Sequence, residues 1–273
     1  LHITQPAVSQ HIRKLEEHYG AQLIDFTGHQ LSLTQAGELL YRYAAFQSAN
    51  EKRLLEQLSK QAQTLRVGAT LSIADYYLPP LLVPVLARGF RSLILRVGNT
   101  EEMLDSCVRG ELDCALIEGI FHDEDFCSHV FHTASFLPVA AANHPLAQGE
   151  HRLAELFHYP LILREPGSGT RAILENQLFQ FGSSPQAFAG LLECGSFRMI
   201  KELLKQTSAI SFMYEQVAAQ EVEAGELTYL TLTDCQIRRP LYFVYPRHSM
   251  SQSACQSFYH DCLCPGTVQG PAR

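Results

Sequence analysis

The stretch TQPAVSQHIRKLEEHYG, residues 4–20, predicts a helix with two unlike faces. Thr4 suits an N-cap, Pro6 fits a first turn and Gly20 supplies a stop. Apolar side chains recur at helical spacing on one face: Val8, Ile12, Leu15 and Tyr19. The other face carries side chains that can bind base edges or phosphates in a major groove: Gln5, Ser9, Gln10 and Arg13. Because most amphipathic helices simply face water, the segments that follow decide between the two interpretations.

Residues 21–40 continue the pattern of a DNA-binding head. Leu23 and Ile24 precede a turn at residues 27–30, and the alternating LSLT at 31–34 runs into the helix start QAG. A helix, a short two-stranded ribbon and a second helix in this order predict a winged helix-turn-helix.

The run ITQPAVSQHIRKLEEHYGAQLI, followed by LSLTQAGELL, closely resembles the signature of the LysR family of bacterial transcription regulators over about forty positions. The family normally begins with a further helix, so we expect the chain to be truncated at its N-terminus. The resemblance implies a set of DNA-binding residues in the recognition helix: Thr4, Gln5, Pro6, Ser9, Gln10 and Arg13. The wing departs from the family, which tends to place arginines there, and we expect His29 to be its DNA-binding residue.

The charge of the head predicts weak nonspecific DNA binding. The whole chain has a formal net charge of −7, and residues 1–65 hold six basic and six acidic side chains. Since phosphate contacts supply most nonspecific affinity, we expect salt-sensitive binding that depends on dimerisation and rises at a specific site.

A long helix is predicted after the head, because no glycine or proline occurs between Gly37 and Gly68. Its apolar side chains form an approximate stripe: Leu40, Tyr43, Leu54, Leu58, Ala62 and Leu65. Such a stripe suits either a helix pair between two chains or a helix that lies on its own domain. In the LysR family this helix makes the dimer, which implies a homodimer or homotetramer here.

The rest of the chain alternates strand-like and helical runs, which predicts α/β structure with parallel strands and crossover helices. The resemblance implies two Rossmann-like lobes of the type 2 periplasmic-binding-protein kind, with a hinge near residues 136–140 and 239–241. We divide the chain into a partial winged helix-turn-helix domain at 1–38, a linker and dimerisation helix at 39–64, a first effector-binding lobe at 65–136, a second at 137–240, and a return to the first lobe with a C-terminal tail at 241–273.

Small polar residues follow several predicted strands, where ligands bind in open α/β folds. Hydroxyls and free backbone N–H groups at such turns can form an anion-sized cradle, although ordinary helix capping explains any single one. Their convergence predicts a cleft for a small carboxylate or oxyanion effector, lined by Thr70, Ser72, Glu118, Gly119, Ser168, Gly169, Thr170 and Ser196.

These features predict a cytoplasmic regulator that binds double-stranded operator DNA and a small effector. No nucleophile-and-base, metal-binding or cofactor motif stands out, so we expect no catalytic residues, metal or cofactor. No apolar run is long enough for a membrane span. Two alternatives stay open: a solute-binding protein without DNA binding, and a thiol-based redox sensor of the same fold centred on Cys194, one of eight cysteines.

Overall fold

A computed structural model describes residues 4–27, 30–59, 64–87, 92–121 and 124–263 of the 273-residue chain. His29 and Cys264 therefore lie outside the described residues. The head contains a helix, a two-stranded antiparallel ribbon and the start of a long helix, which agrees with the predicted winged helix-turn-helix order. Its elements are α1 (Gln5–Tyr19), β1 (Ile24–Thr27), β2 (Gln30–Leu33) and α2 (Gln35–Leu58).

The remaining elements form the two α/β lobes. The first lobe begins with β3 (Leu65–Thr70), α3 (Leu71–Tyr76), α4 (Leu78–Ala87), β4 (Leu93–Gly98), α5 (Thr100–Val108) and β5 (Cys114–Ile117). Then follow β6 (Phe126–Ala141), β7 (Glu150–His151), α6 (Leu153–Leu156), β8 (Pro160–Leu163), α7 (Gly169–Gln180), a 3₁₀ turn (Pro185–Ala187), β9 (Gly190–Glu193), α8 (Phe197–Gln206), β10 (Ile210–Tyr214), α9 (Glu215–Glu223), β11 (Leu227–Tyr229) and β12 (Thr231–Leu232). The chain returns through β13 (Ile237–Pro246), α10 (Gln252–Phe258) and a π-helical turn (Tyr259–Leu263).

One sheet joins both lobes in the strand order β4-β3-β5-β13-β6-β10-β8-β9, with β11 also paired to β6. The predicted parallel pairing holds within each lobe, where β3 pairs with β4 and β5, and β8 pairs with β9 and β10. The long strands β6 and β13 are antiparallel to each other and pass between the lobes. The lobes are therefore connected by two paired strands, the arrangement that a hinge requires.

Strand β6 is longer than the sequence pattern indicates. The apolar run SFLPVAA at residues 135–141 indicates a strand, and the polar stretch before it is typical of a loop, but β6 begins at Phe126 and includes both His129 and His132. The ring of His129 stacks on Tyr245 of β13, with the centroids 5.9 Å apart. Cross-strand pairing with β13 provides the hydrogen bonds that hold this polar segment extended.

Helix α2 lies against the first lobe. The Arg53 guanidinium is 2.6 Å from the Asp113 carboxylate, and both side chains are largely buried. The side chain of Asn50 in α2 donates a hydrogen bond to the His248 carbonyl and accepts one from the Met250 N–H, both in the backbone of the first lobe. Several apolar side chains of the helix still remain exposed, namely Leu39, Tyr41, Tyr43, Leu54, Leu55 and Leu58. Helix α2 thus lies on its own domain through one face, while an apolar face of the same helix stays exposed.

Candidate DNA-binding and effector-binding sites

The polar face of α1 points to solvent. Thr4 occupies the N-cap position without a side-chain capping hydrogen bond, and Pro6 lies in the first turn. Of the predicted base-contacting side chains, Gln5, Gln10 and Arg13 are exposed. Ser9 is also exposed, and its Oγ donates to the Gln5 carbonyl at 3.2 Å. This surface can enter a major groove, because the side chains of Gln5, Gln10 and Arg13 are exposed and the one internal hydrogen bond from this face within the described segments is that of Ser9.

A compact set of polar contacts fixes the orientation of α1 relative to α2. The Glu16 carboxylate accepts a hydrogen bond from the Leu23 N–H at 2.9 Å. Thr34 Oγ1 donates to the Gln22 carbonyl at 2.6 Å and accepts from the Gly37 N–H, so it also caps α2. A Cβ on Gly37 would collide with the Leu23 carbonyl oxygen, which explains glycine at this position of the QAG run.

In the first lobe, three predicted effector residues form a hydrogen-bonded group. Thr70 ends β3, Ser72 lies in α3 and Glu118 follows β5. Both hydroxyls donate to the Glu118 carboxylate, Ser72 to Oε1 at 2.7 Å and Thr70 to Oε2. All three side chains are buried. A carboxylate of the chain itself thus occupies the turn where we expected an anionic effector to bind. Parallel pairing of β3 with β5 brings the ends of these two strands together.

Burial dominates the electrostatics of this group. Loss of hydration raises the pKa of Glu118 above its ordinary value, and the hydrogen bonds from Thr70 and Ser72 oppose that rise. The Arg164 guanidinium of the second lobe also lowers the pKa of Glu118, and the neighbouring Glu165 carboxylate raises it.

The two lobes touch at Gly119 and Gly169, two residues that the sequence predicts to line the effector cleft. Gly119 has a φ of 103°, a left-handed conformation that favours glycine, and a Cβ on it would lie 2.8 Å from the Gly169 Cα. Thr100 Oγ1 donates to the Glu118 carbonyl oxygen at 2.8 Å. A Cβ on Gly169 would strike that same carbonyl oxygen. Any side chain at this contact would hold the lobes further apart.

The remaining predicted hydroxyls have local partners. Ser168 and Thr170 are buried at the start of α7, with their hydroxyl oxygens 2.8 Å apart. Ser196 Oγ accepts from the Met199 N–H at 3.3 Å and caps α8. No described hydrogen bond joins Ser196 to the Glu118 group, so its observed contact is that of an ordinary helix cap.

Sequence reasoning missed three residues that interact electrostatically with Glu118: Arg164 lowers the pKa of Glu118, and Glu118 raises the pKa of Tyr77 and of Tyr214. The Tyr214 Oη, at the end of β10, is buried and has no hydrogen-bond partner among the described residues. The same holds for Arg164 Nη1, one residue after β8. Tyr77 reaches across from the first lobe, with its ring centroid 6.4 Å from that of Tyr214. The positions of Arg164 and Tyr214 at strand ends were a usable signal, but only folding shows that one polar atom of each has no partner among the described residues.

Other chemistry has less support in the described segments. They contain no group of three or more histidine, cysteine or acidic side chains able to hold a metal ion. Cys194 is buried and its sulfur contacts the Ser196 carbonyl oxygen at 3.7 Å. Among these segments, no helix combines the length and apolar character needed to cross a membrane.

A winged helix-turn-helix head, a linker helix and a hinged α/β receptor define a DNA-binding regulator with an effector-binding domain. Residues 58–263 match the family model for the LysR substrate binding domain, and residues 1–38 match that for bacterial regulatory helix-turn-helix proteins of the lysR family. The chain belongs to the LysR family of transcriptional regulators.

Known proteins similar to the chain are regulators too. The uncharacterized HTH-type transcriptional regulator YeiE of Escherichia coli strain K12 is 30% identical over 270 residues, which cover 96% of this chain and 89% of that protein. A RuBisCO operon transcriptional regulator of Acidithiobacillus ferrooxidans is 30% identical over 257 residues, covering 90% of this chain and 80% of the relative. The fold resembles the CcmR regulatory domain of Synechocystis PCC6803 in complex with 2-PG, with a TM-score of 0.67, 23% identity, and coverage of 77% of this chain and 99% of that domain.

Proposed function

We propose that this regulator senses a small effector between its lobes and converts lobe closure into a change in operator binding. The observation that carries the proposal is a pair of buried polar atoms, Tyr214 Oη and Arg164 Nη1, that have no partner among the described residues. Both side chains interact electrostatically with the buried Glu118 carboxylate. Buried polar groups without partners are costly, so a bound ligand that satisfies them stabilises the closed lobes. This role is that of a regulator rather than an enzyme, and an operator target places its action in the cytoplasm.

The route from the cleft to DNA runs through the first lobe. The α2 helix is attached to this lobe by Arg53 and Asp113, and α2 follows the head directly. A rotation of the second lobe on the β6 and β13 hinge therefore changes how two copies of the first lobe, with their heads, are spaced. The resulting change in half-site spacing is the proposed output.

We place the predicted contact with an oxyanion of the effector in the second lobe. Glu118 occupies the hydroxyls of Thr70 and Ser72, which makes that corner unfavourable for a second negative charge. Arg164 is 5% exposed, and its Nη1 has no partner in the part of the chain that the structure describes, so a carboxylate or other oxyanion of the effector is proposed to bind there.

Operator recognition can be tested with the exposed face of α1. We expect Arg13→Ala to weaken binding to a duplex selected in vitro from random sequences by about 1 to 3 kcal/mol, because a base-edge contact is lost. Lys14→Ala is the matched control, since it removes the same charge from an adjacent exposed position. Equal losses for both variants on selected and random duplexes, measured by fluorescence anisotropy, would show that Arg13 acts only through its charge.

Assembly through α2 and the lobes is part of the proposal. On α2, Leu55 and Leu58 are 61% and 69% exposed. Edge strands at both ends of the large sheet also present apolar side chains: Ile94, Leu95 and Val97 on β4, and Leu191 and Leu192 on β9. Exposed apolar faces of this kind mark interaction surfaces.

We expect Leu55→Lys to shift the chain toward monomer in sedimentation velocity experiments. Burial of a leucine contributes about 1.5 to 3 kcal/mol per chain to such an interface, and the lysine adds a charge that must be desolvated. Glu51→Lys, which is exposed on the same helix and adds more positive charge, is the control and should leave the dimer intact. An unchanged dimer in Leu55→Lys at low micromolar concentration would exclude this face as the interface.

A further inference from the structure

The Glu118 carboxylate is buried without a countercharge in direct contact. It is 2% exposed, and the hydrogen bonds that it accepts come from two neutral hydroxyls, those of Thr70 and Ser72. No ion pair within 4.0 Å reaches it from any described residue. Each carboxylate oxygen keeps a further lone pair, so the group can accept hydrogen bonds from a ligand and gains most from one that is positively charged.

Arg164 offers the complementary feature in the second lobe. Its Nε and Nη2 form a bidentate pair with the Glu165 carboxylate, each at 2.7 Å. The guanidinium carbon lies 4.4 Å from the centroid of the Phe197 ring, which fixes the plane of the group. The remaining donor, Nη1, is buried and has no partner among the described residues. This edge of the guanidinium can bind one oxygen of a ligand.

Tyr214 supplies a second buried donor, on a side chain that interacts electrostatically with Glu118. Its side chain is fully buried, and its Oη also has no partner among the described residues. Burial raises the pKa of this phenol, and the Glu118 charge raises it further. Tyr214 therefore keeps its proton at neutral pH and can donate it to an oxygen acceptor.

We propose that the effector is a free amino acid, whose ammonium group binds Glu118 and whose carboxylate binds Arg164 Nη1 and Tyr214 Oη. This inference rests on the proposed function, because it names the ligand class of the same cleft. A zwitterion supplies the countercharge that Glu118 lacks and an oxygen for the remaining donor of Arg164, and with a neutral side chain it brings no net charge into the closed site. An α-keto acid lacks the ammonium donor, and a phosphorylated acid brings extra negative charge toward Glu118.

Thermal shift and calorimetric titration of the full chain provide the test. The probes are the twenty common L-amino acids, each compared with the α-keto acid of the same carbon skeleton. We expect at least one amino acid to raise the melting temperature by preferential binding to the folded state. Its α-keto counterpart should bind at least about tenfold more weakly, since a hydrogen bond between charged groups is lost.

Two variants locate the binding. Glu118→Gln keeps the shape of the side chain but removes the charge, and should weaken amino acid binding by about 10- to 100-fold. It should also reduce the preference for the amino acid over the keto acid, a change that a purely structural role would not produce. Tyr214→Phe should weaken binding by about 2- to 10-fold, and it provides an independent comparison if Glu118→Gln does not fold. Glu223→Gln, an exposed acid on α9, is the matched control for the loss of one negative charge.

The possible outcomes separate this inference from the proposed function. Binding of a keto acid or phosphorylated acid that is lost in Thr70→Ala would overturn the amino acid inference and leave the interlobe sensor standing. Absence of stabilisation by all twenty amino acids would also overturn it. An amino acid that binds with unchanged affinity in Glu118→Gln, Tyr214→Phe and Thr70→Ala would overturn both, because the ligand would then bind outside the cleft.

Discussion

Replacement of Arg53 by alanine is expected to lower the free energy of unfolding by about 3 to 5 kcal/mol, because it leaves a buried carboxylate without its charged partner. Asp113 is 4% exposed and Arg53 is 11% exposed, with 2.6 Å between the guanidinium nitrogen and the carboxylate. The same carboxylate also accepts from the Arg66 N–H at 2.8 Å and the Ser251 hydroxyl at 2.6 Å. Chemical denaturation of the full chain measures the loss.

The loss should depend on pH in a defined direction. Burial raises the pKa of Asp113, while Ser251 and Arg53 oppose that rise. Removal of Arg53 therefore moves the pKa of Asp113 further above its unfolded value. A group with a raised folded pKa stabilises the fold at low pH, and that contribution is lost as the pH rises through the folded pKa. The deficit of Arg53→Ala relative to the wild type should be smallest below about pH 4, the ordinary pKa of an aspartate, and should grow as the pH rises.

Arg42→Ala on the same helix is the matched control. Arg42 pairs with Asp125 at 3.0 Å, but the two side chains are 51% and 55% exposed. Exposed pairs contribute about 0 to 1 kcal/mol, so this variant should unfold nearly as the wild type does. Equal destabilisation by the two substitutions would contradict the view that Asp113 anchors α2. A pH-independent deficit in Arg53→Ala would contradict the assigned electrostatic cause.

Gly169→Ala is expected to force the lobes apart without any added ligand. The new methyl group would meet the Glu118 carbonyl oxygen and, at 2.6 Å, the Thr100 hydroxyl, both in the first lobe. Overpacking of this kind costs about 1 to 3 kcal/mol unless the lobes separate. We therefore expect faster amide hydrogen exchange around residues 117–119 and a lower melting temperature. If closure is coupled to DNA binding, affinity for the selected operator should change by about fivefold or more.

Gly190→Ala controls for the loss of a glycine in the second lobe. A Cβ at Gly190 would find only the Pro160 Cβ, at 3.9 Å, which is ordinary contact. This variant should match the wild type in hydrogen exchange and operator affinity. If Gly169→Ala opens the lobes but leaves operator affinity unchanged, lobe closure does not control DNA binding by the head. That result would exclude the proposed coupling between effector binding and operator binding.

The head was predictable because its determinants are local. The helix, its stop at Gly20 and the ribbon depend on contacts between residues near in sequence, such as Glu16 with Leu23 and Thr34 with Gly37. The alternation of strands and helices in the lobes is local as well. The extension of β6 back to Phe126 was missed, because its polar segment is extended only through pairing with β13, which is distant in the chain.

By itself, the sequence determined that this protein has a helix whose polar face suits a DNA major groove. It also determined a long linker helix and two α/β lobes with small polar residues at strand ends. Tertiary structure decided which atoms those residues meet. Only folding brings Glu118 onto the hydroxyls of Thr70 and Ser72, and only folding leaves donors of Arg164 and Tyr214 buried without a partner in the described segments. The physical reason is that periodicity and capping operate over a few residues, whereas burial, desolvation and charge pairing depend on segments far apart in the chain.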